Sequence, residues 1–157
     1  MELLEITARR TREQLGVQSR RIDVLAPLWG LSRSSVHKAL RGGDMRLHTL
    51  DRIATMLGVA PYDLLRPLRD GPVPSRPPSS GQPASRRNLA VNLRRSLTAD
   101  RRNPRDLSDA SGISLATLYR IIGQRSDPRL STLERLSHAA CLDQPPWRLI
   151  APPRAAG

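Results

Sequence analysis

The side chains of this protein that can do chemistry are mostly guanidinium groups. Lysine and arginine number 26 against 14 acids, a net charge of +12 in 157 residues, and every cation except Lys38 is arginine. That excess suits a polyanionic partner, nucleic acid first and an acidic membrane second. Nucleophilic and metal chemistry have less to work with. A single cysteine, Cys141, forms no disulfide framework and no cysteine-rich zinc site within the chain, and reads as a small core residue. His37, His48 and His138 lack ligand-like spacing. Phosphate-binding glycine loops, dinucleotide fingerprints and nucleophile elbows are absent from the sequence. Scattered Asp and His offer no converging set of titratable groups, so neither enzymatic activity nor a cofactor nor a metal is expected.

These charges need elements to position them. Aromatics are 3% of the chain and Phe is missing, so any core must be built from Leu, Ile, Val and Ala. No apolar run approaches the roughly 18–20 residues that span a bilayer. The first residues mix Glu2, Glu5, Arg9 and Arg10 with Leu and do not read as a signal peptide. A stretch over 3–15 is too short and too acidic at its start for a membrane-surface helix. A cytoplasmic protein is expected.

Pro, Gly and Ser dominate residues 68–86, with no apolar period. Such a segment cannot bury enough surface to offset its ordering entropy, so it reads as a disordered Pro/Ser/Arg-rich linker. About 18 such residues average roughly 23 Å end to end, and up to about 55 Å when extended. The linker divides the chain into domains over 1–67 and 87–157, both basic. They repeat each other. Gly30-Leu-Ser-Arg-Ser-Ser-Val-His-Lys-Ala-Leu matches Gly112-Ile-Ser-Leu-Ala-Thr-Leu-Tyr-Arg-Ile-Ile at an offset of 82 positions. After one extra residue, Pro128, Arg46-Leu-His-Thr-Leu-Asp-Arg-Ile matches Arg129-Leu-Ser-Thr-Leu-Glu-Arg-Leu. Pro61-Tyr-Asp-Leu-Leu-Arg-Pro then matches Pro146-Trp-Arg-Leu-Ile-Ala-Pro.

Each copy reads as five helices, so the expected class is all-α. In the second copy the first helix covers 88–97, with Leu89, Leu93 and Leu97 on one face. Asn103 caps the next, with Pro104 in its first turn and Asp106 beside it, and Gly112 ends it. Ser114 caps a third helix that buries Leu118, Ile121 and Ile122. Ser131 and Glu134 form a capping box over the fourth, and 145–150 make the fifth. In the first copy the helices fall at 3–15, 21–29, 32–41, 49–57 and 61–65, with Pro27 inside the second. Helix, glycine turn, capped helix is the helix-turn-helix arrangement. Ala26 or Ser108 lets the two helices approach, Leu31 or Ile113 plugs the turn, and Val36 or Leu118 anchors the third helix.

Through these residues the chain resembles the Cro/CI-type, lambda-repressor-like (XRE) helix-turn-helix family. The second copy carries the resemblance from Asp106 to Gly123 and from Asp127 to Leu136. The first carries it through Leu25-Ala26, Gly30 to Val36, Arg41-Gly42-Gly43 and Leu57-Gly58-Val59. The resemblance implies a five-helix bundle that places its third helix in the major groove of double-stranded DNA. It implies base contacts from Arg33, Ser34, His37 and Lys38 in one copy and from Leu115, Ala116, Thr117 and Arg120 in the other. Arg33, Lys38 and Arg120 suit guanine, while Leu115, Ala116 and the Thr117 methyl suit thymine methyls. Phosphate contacts would come from Ser32, Arg41, Arg46, Ser114, Tyr119, Gln124, Arg125 and Arg129. The chain departs from the family where a glutamine is usual near the start of the second helix; Ile22 and Pro104 stand there. Main-chain N–H groups, or Arg20, Arg21 and Arg105, would take over those contacts. Leu40 and Ile122 replace the usual late glutamate of the third helix.

The implied function is a DNA-binding transcriptional regulator, a repressor, nucleoid-associated when bound. Two unlike readers on one chain imply a covalent pseudo-dimer on an asymmetric site, with the linker spanning the roughly 34 Å between half-sites. Pairing with a second copy or another protein through the fifth helices remains open. So does an adaptor or anti-repressor in which one copy binds a protein, since Leu115 and Ala116 suit an interface. Arg9, Arg10, Arg12, Arg94, Arg95, Arg101 and Arg102 read as solubilising or weak backbone contacts, and Trp29 and Trp147 as core or interface anchors.

Overall fold

A computed structural model describes residues 2–17, 24, 26–27, 30–72, 84–139, 142 and 144–153. The chain is helical, with no strand among the described residues. Helix α1 is Glu2–Val17, α2 Arg33–Leu40 and α3 Leu47–Leu57. A short 3-10 helix, Pro61–Leu65, follows. Beyond a 3-10 turn at Leu68–Asp70 come α4 Ser85–Ala99, α5 Pro104–Ser111, α6 Leu115–Ile122, α7 Leu130–His138 and α8 Pro146–Ile150.

Apolar residues at three- and four-residue spacing explain the arrangement. Leu47, Leu50, Ile53, Ala54 and Leu57 make one buried face of α3. Leu89, Leu93 and Leu97 do so on α4, and Leu130, Leu133 and Leu136 on α7. Each fully buried Leu or Ile contributes about 1.5–3 kcal/mol of transfer free energy. Those faces meet in one continuous core that draws on both halves of the chain.

Several expectations need revision. The first helix of the second half starts at Ser85, inside the stretch read as linker, because Ser85 is buried against Asp51. The fourth helix of the first half starts at Leu47, not at residue 49. Its fifth element is 3-10, not α-helix. Ser131 and Glu134 form no capping box: α7 begins after Arg129 and has no side-chain cap of its own. Asp44 takes the Ser131 N–H at 3.1 Å and its hydroxyl at 2.7 Å, while Glu134 accepts the Leu3 N–H at 3.1 Å. Sequence-local reasoning favours the nearest acid as cap, whereas here an acid from the other half arrives first.

The halves are packed together. Leu47 N–H donates to the Pro128 carbonyl at 3.0 Å, and Leu130 N–H to the Met45 carbonyl at 2.9 Å. Arg46 and Arg129 thereby form an antiparallel bridge. Pro61–Leu65 packs on α8, so the two fifth elements cover each other within one chain. The surface considered for pairing with a second copy is therefore occupied intramolecularly. Arg20, Arg21, Ile22, Leu25, Trp29 and Cys141, with most of the helix expected at 21–29 and of the expected linker, lie outside the described residues. Val24, Ala26 and Pro27 are helical.

Asp51 lies at this seam beside Ser85. Burial pushes its carboxyl up to about 6, against the hydrogen bonds from Ser85 that favour the charged form. A carboxyl raised in the folded state binds more protons than the unfolded chain between pH 4 and 6. Stability should therefore fall as pH rises through that window, by about 1–3 kcal/mol. Asp51→Asn should flatten that slope, as read from urea midpoints at pH 4 and pH 7. An unchanged slope would assign the dependence to another group.

Candidate nucleic-acid interface

Two turns aim two helices outward. In the first, Gly30 has φ +64°, and Leu31 N–H donates to the Ala26 carbonyl at 2.8 Å. Ala26 is fully buried, as a close helix approach requires. The Arg52 guanidinium, from α3, donates to the Gly30 carbonyl at 2.7 Å. Ser32 accepts the Ser35 N–H at 3.0 Å and so caps α2. Val36 and Ala39 face inward with Leu40 half-buried, which turns Arg33, Ser34, His37, Lys38 and Arg41 to the exposed side. Beyond α2 the chain folds back, with Gly43 N–H donating to the Lys38 carbonyl at 2.8 Å. A Cβ at Gly43 would lie 2.3 Å from Lys38 Cγ. Ser34, His37, Lys38, Arg41, Gly42 and Gly43 line an open cleft of about 380 Å³ at this end.

The second turn repeats the construction. Gly112 has φ +67°, and its carbonyl accepts from Arg135 of α7. The Ser108 hydroxyl donates to the Ile113 carbonyl at 2.7 Å. Ser114 caps α6 by accepting the Thr117 N–H at 3.3 Å. Leu118 and Ile121 face the core, leaving Ala116, Tyr119 and Arg120 exposed and Leu115 and Thr117 half-buried. Thr117's hydroxyl lies 2.8 Å from that of Ser114. Gly112→Ala would force a Cβ into left-handed backbone and to 3.0 Å from Arg135. A loss of about 1–2 kcal/mol is expected from chemical denaturation, and a neutral result would show that the turn relaxes freely.

The remaining residues lie past α6, at the seam and at the start of α5. Gln124 and Arg125 are exposed just past α6, Gln124 at φ +58° where the first half has Gly42 at φ +75°. Arg46 is exposed at the seam. Arg129, also there, is partly committed: it donates to the Asp44 carbonyl at 3.2 Å and lies 3.9 Å from its carboxylate. The expected main-chain donors at the start of α5 are taken. Asn103 accepts both Arg105 N–H, at 2.9 Å, and Asp106 N–H, at 3.0 Å, and Asp106 returns the bond. The Arg105 side chain is exposed there.

Sequence reasoning missed the residues that hold these turns in place. Arg52 and Arg135 occupy equivalent positions in the repeat, as do Asp51 and Glu134, and that recurrence was the available signal. Arg10, read as solubilising, is 2% exposed and binds three carbonyls. Arg94 reaches the Ile122 carbonyl at 2.6 Å, tying α4 to the end of α6.

A family model, the Cro/C1-type HTH DNA-binding domain, matches residues 18–69. The chain carries a Cro/C1-type HTH domain there. That domain spans the Gly30 turn, α2, α3 and the 3-10 helix, so the face bearing Arg33, Ser34, His37 and Lys38 lies within it. The matched stretch is about a third of the chain. No curated protein and no solved structure gives a match. Among the described residues no group of three or more His, Cys, Asp or Glu could hold a metal, and no helix is long and apolar enough to cross a membrane.

Proposed function

We propose that this chain is a sequence-specific regulator of transcription that binds double-stranded DNA through two helix-turn-helix units and represses by occluding its site. One observation carries the reading: inside the matched domain, α2 is capped, held from behind by Val36 and Ala39, and turns Arg33, Ser34, His37 and Lys38 to solvent. The repeat supports a second unit over 85–151, with Leu115, Ala116, Thr117 and Arg120 as its readers. Arginine and lysine on such a helix donate to guanine O6 and N7, and apolar groups meet thymine methyls. Ser32, Arg41, Arg46, Ser114, Tyr119, Gln124, Arg125 and, in part, Arg129 would bind phosphate and set register. Unlike readers require unlike half-sites, so the target is asymmetric.

Selection of bound duplexes from a random pool tests this, with two unlike half-sites as the expected result. Arg33→Ala and Arg120→Ala should each relax preference at one base position, at about 1–3 kcal/mol. Arg46→Ala should weaken all sequences alike and lower the salt slope by about one. Binding that ignores all three substitutions would refute the interface. A second reading, in which α6 docks on a protein, draws on Tyr119, which is 57% exposed beside exposed Ala116. It predicts a single selected half-site, lost with Arg33→Ala and untouched by Arg120→Ala.

A further inference from the structure

Helix starts in each half find their partners in the other half. Asp44 takes the N–H and hydroxyl of Ser131 at the start of α7, and Asp127 takes the His48 N–H at the start of α3, at 3.1 Å. Glu134 takes the Leu3 N–H at the start of α1, and Asp51 takes the Ser85 hydroxyl at the start of α4. In α1, α3 and α7 a first-turn N–H is thus taken by an acid of the other half, as is the Ser85 hydroxyl at the start of α4. Where the 3-10 helix meets α8 the seam mixes apolar and charged groups. Leu64, Leu65, Leu149 and Ile150 are buried there, and the Arg66 guanidinium lies 5.4 Å from the ring centre of Trp147.

The two sides of this seam are not alike. The Ser131 hydroxyl bonds Asp44, whereas His48 stands at the equivalent place opposite Asp127 and offers a main-chain N–H. Trp147 of one half is matched in the repeat by Tyr62 of the other. Self-pairing of either half would lose the Arg66–Trp147 contact, since Ala151 stands at the place of Arg66 in the second half and Tyr62 at the place of Trp147 in the first.

We propose that the seam is a specific interface between unlike halves, each the partner of the other. It, and not the segment joining them, sets the placement of α2 relative to α6. The second statement rests on the DNA-binding reading above; the first does not. Asp44 and Asp127 are positioning residues in this scheme, and Asp44 also holds Arg129.

The test uses the full chain with a protease site inserted between Ser79 and Ser80. After complete cleavage the two fragments should elute together at the size of the uncut chain, in equal amounts. Fragments that separate, or that pair each with itself, overturn the interface. Asp44→Ala combined with Asp127→Ala should weaken that association at least tenfold, and unchanged association would remove the cap exchange from the proposal. In the uncut chain, ten added Gly/Ser residues at the same point should leave the selected half-site spacing unchanged. Spacing that spreads or shifts with insert length would give the ruler's role to the joining segment. A chain that selects no duplex refutes the DNA-binding reading and the positioning claim with it, while co-elution still decides the interface.

Discussion

Arg10→Ala should destabilise the protein by about 3–5 kcal/mol. The guanidinium is buried beneath the segment that leaves the first fifth element. It donates to the Pro67 carbonyl at 2.7 Å, to the Arg66 carbonyl at 3.4 Å and to the Gly71 carbonyl. Charge-assisted bonds of this kind contribute about 1.5–3 kcal/mol each, and their loss leaves carbonyls to be resolvated at the edge of the core. Alanine also empties the volume of the long apolar stem. Urea unfolding at neutral pH measures the loss, and a change below about 1 kcal/mol would show that the chain re-satisfies those groups. Arg10→Lys should recover part of it, because one ammonium cannot reproduce a planar fork. The second half does the same work with a neutral amide. Asn92 donates to the carbonyls of Arg148, Leu149 and Ala151 at 3.2, 3.0 and 2.9 Å. Asn92→Ala should accordingly cost less.

Leu118→Ala carries the other large expected loss, about 2–5 kcal/mol. Its side chain is fully buried and pins α6 to the core. Ile121, also buried, is the other apolar anchor on this eight-residue helix, so a cavity at 118 loosens the element itself. The melting temperature should drop by roughly 5–15 °C. If α6 reads DNA, discrimination at the second half-site should fade before binding at the first. A stable variant with intact preference at both half-sites would contradict the placement of α6 on the target.

The repeated blocks made most of the fold legible. Gly30 and Gly112 mark turns, Ser32, Ser114 and Asn103 mark helix starts, and the Leu and Ile spacing marks buried faces. Each of those signals acts within a turn or two of chain, where steric and hydrogen-bonding preferences are local. The Ser131 and Glu134 pair followed the same local logic and misled, because the groups that satisfy α7 and α1 lie 87 and 131 positions away. Arg10 misled for a related reason. A guanidinium in a helical sequence is ordinarily solvated, and only the returning chain at residues 66–71 supplies the carbonyls that make burial tolerable.

By itself the order of residues determined the helical class, the duplicated pattern, and which side chains α2 turns away from the core. Those features depend on periodicity and capping, which neighbouring residues specify. Tertiary structure alone decided that the halves share a core, that acids from each serve helix ends of the other, and that the fifth elements are occupied with one another. Contacts between residues 34 to 131 positions apart depend on how two finished surfaces meet, and no local preference along the chain encodes that fit.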